Sequence, residues 1–223
     1  MGKLLFPLLL TAALAWTAPI STYSSLSTWQ AAGPQDGTQG FESVAAASQM
    51  VYSSFVLNSI TYTGVGGNLY VYPSGYTWTD LGSGATLTSA DVGSIRIDLP
   101  ANIYGVGFLI GSSLGIPVNV ILNGDTANPL VITNPTNPPP NAGNLGQFWG
   151  IRSDVAISSL VIAASQTNYR AIIDNFTWGG QAAPLGGGGG GGGGGSEIPE
   201  SSSGFLIGGA LVLVPILRRA VKP

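Results

Sequence analysis

The sequence of 223 residues contains no histidine and no cysteine. Thiolate and imidazole nucleophiles, Ser-His-Asp relays, zinc sites built on such ligands and disulfides are therefore excluded. The main catalytic chemistry left is that of paired carboxylates. Two acids about 5 to 9.5 Å apart in a cleft can hydrolyse a glycosidic bond, and oxygen donors from Asp and Glu suit calcium. No catalytic pair stands out, because Asp80, Asp91 and Asp98 all read as solvated acids in loops or at strand ends. The stretch NLYVYPSGYTW presents Tyr70, Tyr72, Tyr76 and Trp78, a patch that could stack on sugar rings. Aromatics at alternate strand positions are more often core or cross-strand packing.

The elements that must position these groups read as strands. Segments 50–57, 60–63, 69–72, 94–99, 103–110, 118–122, 130–133, 148–152, 157–163 and 171–178 are rich in β-branched and aromatic residues. Several alternate cleanly, as in Ile95, Ile97, Leu99 and in Tyr104, Val106, Phe108, Ile110. Turn signals such as Pro73-Ser74-Gly75 and Asn123-Gly124-Asp125 separate them. Many short strands without helical periodicity predict an all-β fold, an antiparallel β-sandwich over residues 19–180. The one long irregular stretch, 134–147, reads as a surface loop and a plain connector.

Charge narrows the partners. Residues 19–180 hold three arginines against eight acids, a net of minus five, so nucleic acid is excluded as a partner. Both ends of the chain point to a membrane. Residues 1–15 combine Lys3, an apolar run from Leu4 to Leu14 and the small-x-small triplet Ala13-Leu14-Ala15, the layout of a signal peptide cut after Ala15. A glycine-rich linker, 181–197, contains ten consecutive glycines whose backbone entropy leaves whatever follows loosely tethered. Beyond it, residues 204–217 form an apolar stretch of 14 residues, as a helix about 21 Å long against a hydrocarbon core of roughly 30 Å. Arg218, Arg219 and Lys222 supply a positive flank that orients such a segment.

The order Ile198-Pro199-Glu200, a short apolar helix, then Arg218-Arg219 resembles the PEP-CTERM sorting signal of Gram-negative, biofilm-forming bacteria, with Ser201 in place of the second proline. The resemblance implies an exported protein of the cell envelope, membrane-retained and handed to an exosortase-like processing enzyme through Pro199 and Glu200. It covers 198–223 only. The segments YSSLSTWQAAGPQDGTQGFE and AIIDNFTWG resemble the two ends of the jelly-roll ectodomain that commonly accompanies such tails. That pattern implies a short helix carrying Trp29, a Phe41-Glu42 strand and a last strand carrying Asp174-Asn175-Phe176.

Two consequences follow for the site and the function. If Ile172 and Phe176 face the core, alternation puts Asp174 on the same face, where a carboxylate is costly unless paired or metal-bound. In sandwiches of this kind the first and last strands adjoin, which makes Glu42 the expected neighbour and a structural calcium shared by Glu42 and Asp174 an expectation. The alternatives are that Asp174 accepts backbone N–H bonds, or that the other face is the buried one. For function, the sorting signal implies a non-catalytic, envelope-displayed protein associated with exopolysaccharide or biofilm matrix. The alternative is a carbohydrate-binding or Asp/Glu-dependent glycan-hydrolysing sandwich.

Overall fold

The computed structural model describes residues 19–76, 79–82, 84–137 and 146–181. The expected signal peptide, nearly all of the glycine linker and the sorting tail with Pro199, Glu200, Arg218 and Arg219 lie outside the described residues. Among those described, no helix is long and apolar enough to cross a membrane.

The chain begins with β1 (Ile20–Tyr23), α1 (Leu26–Ala31), β2 (Gly37–Gln39), β3 (Met50–Tyr52), β4 (Ser54–Leu57) and β5 (Ile60–Val65). It continues through β6 (Leu69–Tyr72), β7 (Thr86–Thr88), β8 (Ser94–Asp98), β9 (Gly105–Ser112) and β10 (Val118–Leu122). The last strands are β11 (Leu130–Ile132), β12 (Gln147–Ser153), β13 (Ser159–Ala164) and β14 (Ala171–Gly179). One sheet runs β1-β12-β9-β14-β7-β6-β3, with β2 also paired to β14; the other runs β11-β10-β13-β8-β5-β4. All pairings between these strands are antiparallel, and the architecture is the expected β-sandwich.

Period-two alternation explains the two sheets. Val106, Phe108 and Ile110 of β9 and Ile95 and Ile97 of β8 are fully buried between the sheets, while Arg96 points out. Tyr62 and Phe176 meet edge to face at 6.1 Å, and Phe108 stacks on Phe176 at the same separation. Asn58 and Ser59 take φ of 50° and 64°, closing the two-residue hairpin that sets Leu57 opposite Ile60.

Four expectations change. The predicted strand 50–57 breaks at Ser53: β3 belongs to one sheet and β4 to the other. β1, β2 and β7, of three or four residues each, are too short to show a period. Trp29 does sit on a short helix, capped by Ser25 Oγ accepting from the Thr28 amide at 3.3 Å, but Phe41-Glu42 is a turn and no strand. There the Phe41 carbonyl accepts from the amides of Val44 and Ala45, while the Phe41 ring is fully buried 5.5 Å from Tyr62.

The fourth change concerns Asp174. Asn175 has φ of 49°, and the β14 to β9 register shifts between Asp174 and Thr177. This bulge resets the alternation, so that Ile173 and Phe176 both join the central core and Ile172 does not. Asp174 therefore lies with Ile172 on the outer face of the sheet, opposite to Phe176. It is nonetheless fully buried.

Candidate functional site

The outer face of the eight-stranded sheet is where the polar chemistry collects. On β6, Leu69 and Val71 enter the core, so Tyr70 and Tyr72 project outward, paired across to Thr88 and Thr86 of β7. The hydroxyl oxygens of Thr79, Thr86 and Thr88 are buried and have no hydrogen-bond partner among the described residues.

At one end of this face, the loops that follow β6, β7 and β9 and the turn that precedes β14 enclose a cavity of about 660 Å³. Its wall includes Tyr72, Tyr76, Thr79, Asn137, Asn168 and Arg170. The rings of Tyr72 and Tyr76 lie 4.5 Å apart at 33°, and Tyr70 stacks against Tyr72 at 6.4 Å. Tyr76 stands on a loop that Asp80 closes, accepting from the Gly75 amide at 3.1 Å and from the Gly82 amide at 2.6 Å. Asp80 is thus a loop clasp.

Arg170 holds the tyrosines in place. Its Nη1 donates to Tyr72 Oη at 2.9 Å, its guanidinium lies 4.9 Å from the Tyr70 ring centre, and its Nε donates to Asp91 Oδ1 at 2.5 Å. The hydrogen bond to Asp91 raises the Arg170 pKa above its ordinary value, and burial pushes the Tyr72 phenol up. Both groups keep their neutral-pH charge states. Leu114, also in the wall, has φ of 58° and is 70% exposed. A branched apolar residue held in the left-handed region at a cavity rim is an outlier of the sort that gathers at ligand sites. Thr136 bridges to Gly111, which brings Asn137 to the same rim.

The sequence singled out the tyrosine stretch with packing as the commoner reading, and the structure packs Tyr70, Tyr72 and Tyr76 on one another at the cleft wall; Trp78 lies outside the described residues. Asp91 read as a solvated acid and is instead paired with Arg170. Arg170, Tyr169 and Asn168 gave no signal beyond a polar turn before the last strand. Asp98 is bound by Arg96 at 2.8 Å on the exposed face of the other sheet.

The Glu42 and Asp174 carboxylates are brought together as expected, although across a turn and a bulge. A methyl group added to Gly84 would overlap Glu42 Oε1 and lie 3.7 Å from Asp174 Oδ2, so both converge on the space beside that glycine. Glu42 Oε1 also accepts from the Ala85 amide at 3.1 Å, and Asp174 Oδ1 from the Asn175 amide at 2.6 Å. Among the described residues they are not joined in any group of three or more His, Cys, Asp or Glu.

Fold and cavity together define an antiparallel β-sandwich with an aromatic cleft at one end. No family model and no curated protein sequence matches the chain. Among solved structures it is similar to TmCBM61 in complex with β-1,4-galactotriose, at 15% identity over 64% of this chain and 94% of that one, with a TM-score of 0.33. A family 29 carbohydrate-binding module complexed with mannohexaose gives 10% identity, 72% and 90% coverage and a TM-score of 0.26. An exo-β-1,3-galactanase from Phanerochaete chrysosporium with β-1,3-galactotriose gives 18% identity, 60% and 30% coverage and a TM-score of 0.28. Similarities this low assign no family.

Proposed function

We propose that this protein is a non-catalytic carbohydrate-binding β-sandwich that holds polysaccharide in the tyrosine cleft. The observation that carries the reading is the Tyr72–Tyr76 ring pair on the wall of a cavity of about 660 Å³, within the range of small-ligand sites. The Tyr76 ring, more than a third exposed, offers apolar area to the C–H face of a sugar, while Asn137, Asn168 and Ser113 offer donors and acceptors to its hydroxyls. Asp91 is the one carboxylate among the described wall residues. Hydrolysis by paired acids needs two. The purified full chain should bind neutral oligosaccharides in calorimetry, with galactotriose and mannohexaose as first probes. Heats of dilution alone, across a broad glycan array as well, would end the proposal.

Calcium is the second element of this reading. The convergence of Glu42 and Asp174 beside Gly84 supports it, since calcium takes carboxylate oxygens and neighbouring backbone carbonyls. An ion bound only in the folded state at about a hundred times its dissociation constant adds about 2.7 kcal/mol. Chelator should then lower the melting temperature by about 5–10 °C, and Asp174→Ala should abolish that sensitivity. Identical melting curves with and without chelator exclude the ion.

Export places the cleft in the cell envelope or its matrix, and Pro199 with Glu200, ahead of Arg218 and Arg219, supports sorting by an exosortase-like enzyme of a Gram-negative host. Intact mass of the mature protein tests this. A form ending between Pro199 and Ser203 is the expected result, and a mature form that retains residues 204–223 overturns processing.

A further inference from the structure

Arg170 is the one basic side chain among the described wall residues of the cleft, as Asp91 is the one acid. A guanidinium with its fork open would attract the carboxylate of a uronic acid. Two of its five N–H donors and one ring face are already engaged, and the nearest partner is an acid. Asp91 Oδ1 accepts from its Nε at 2.5 Å, Tyr72 Oη from its Nη1 at 2.9 Å, and the Tyr70 ring covers one of its faces. Any further carboxylate drawn to Arg170 also meets the charge of Asp91, which is itself 56% exposed at the cleft edge. A second depression, of about 360 Å³, shares Asp91 and Tyr169 with the first, so a chain extending from one to the other passes over the pair.

We propose that Asp91 sets the charge selectivity of the cleft: by occupying Arg170 it confines the ligand to uncharged sugars and turns away uronic-acid polymers. The inference rests on the carbohydrate-binding reading. The excess of acids over arginines in residues 19–180 acts in the same direction, because a polyanion approaches a surface of like charge. Asn in place of Asp91 keeps the shape, removes the negative charge and leaves Arg170 to a ligand carboxylate.

The test compares the full chain with Asp91→Asn, Asp91→Ser and Asp91→Asn/Arg170→Gln, each against neutral oligosaccharides and hexameric oligogalacturonate at low salt. The unaltered chain should bind neutral probes and not oligogalacturonate. Asp91→Asn should gain oligogalacturonate binding by at least about tenfold, the worth of one charge-assisted hydrogen bond. The gain should disappear in the double variant and shrink in roughly 0.5 M salt. Asp91→Ser repeats the gain should asparagine disturb the loop, and unchanged melting curves show that each variant is folded. Oligogalacturonate binding by the unaltered chain as tight as neutral binding, or no gain in either single variant while neutral binding persists, overturns the selectivity. Failure of the unaltered chain to bind any glycan overturns the cleft reading and this inference with it.

Discussion

Replacing Arg152 by alanine should lower the stability of the sandwich by about 2–3 kcal/mol, the cost of leaving buried carbonyl acceptors without their donor. The side chain is 7% exposed and lies on the outer face of β12, with its guanidinium carbon 4.0 Å from the Trp29 ring centre. It donates to the carbonyls of Gly33 at 2.7 Å, Pro34 at 2.9 Å, Gly180 at 3.2 Å and Trp29 at 3.3 Å. One group thereby ties α1, the segment after it and the end of β14 to the sheet. A Cβ at Gly105 beneath it would come within 2.9 Å of Arg152. Burial lowers the Arg152 pKa without discharging it near neutrality. Alanine would leave the carbonyls without their donor and open the Trp29 face to water. Lysine should restore little, since a single ammonium lacks the planar fork that serves several acceptors. Denaturant titration measures the loss, with a melting temperature down by about 5–10 °C. A loss below about 1 kcal/mol would show that water replaces the guanidinium at no cost.

The Tyr76→Ala variant should bind neutral oligosaccharide at least about tenfold more weakly while melting as the unaltered chain does. Removing a ring on which a ligand stacks costs about 1.5–2 kcal/mol at an interface hot spot. Tyr76 is 37% exposed on a loop closed by Asp80, so its ring contributes to the cleft more than to the core. Tyr72→Ala should chiefly destabilise, and weaken binding only by removing the support beneath Tyr76, because that ring is 5% exposed against Tyr76 and its hydroxyl holds Arg170. Tyr72→Phe separates the two effects by keeping the ring and losing the bond. Calorimetry gives the affinities and a melting curve the stabilities. Equal affinity in Tyr76→Ala and the unaltered chain would remove the tyrosines from recognition.

The strands and the aromatic half of the cleft were readable because alternation is a local property. Ile95, Ile97, Val106, Phe108 and Ile110 announce a buried face through their own spacing, and each is fully buried. Tyr70 and Tyr72 share a face for the same reason, and the turn chemistry of Pro73-Ser74-Gly75 places Tyr76 close behind them. The polar half of the cleft was not readable. Asp91 and Arg170 are 79 residues apart, and a paired acid looks the same in sequence as a solvated one. Arg152 likewise meets partners near Trp29 that stand about 120 residues away.

Composition by itself narrowed the chemistry open to this protein, since a chain without histidine or cysteine has no imidazole or thiolate for catalysis or for a zinc site. Spacing determined that it forms a two-layered β structure, because a side-chain period of two is fixed by the strand itself. Only the tertiary structure decided on which side of the sheet Asp174 falls. A period carries no information about where it is interrupted, and at Asn175 a backbone with φ of 49° adds one residue and reverses the faces on either side. The route by which Glu42 meets Asp174, a turn where a strand was expected, and the meeting of Asp91 with Arg170, which nothing in the sequence announced, were decided there as well. Each pair joins segments distant in the chain, and their approach is set by how the strands are ordered in the sheet and how its loops close over the outer face.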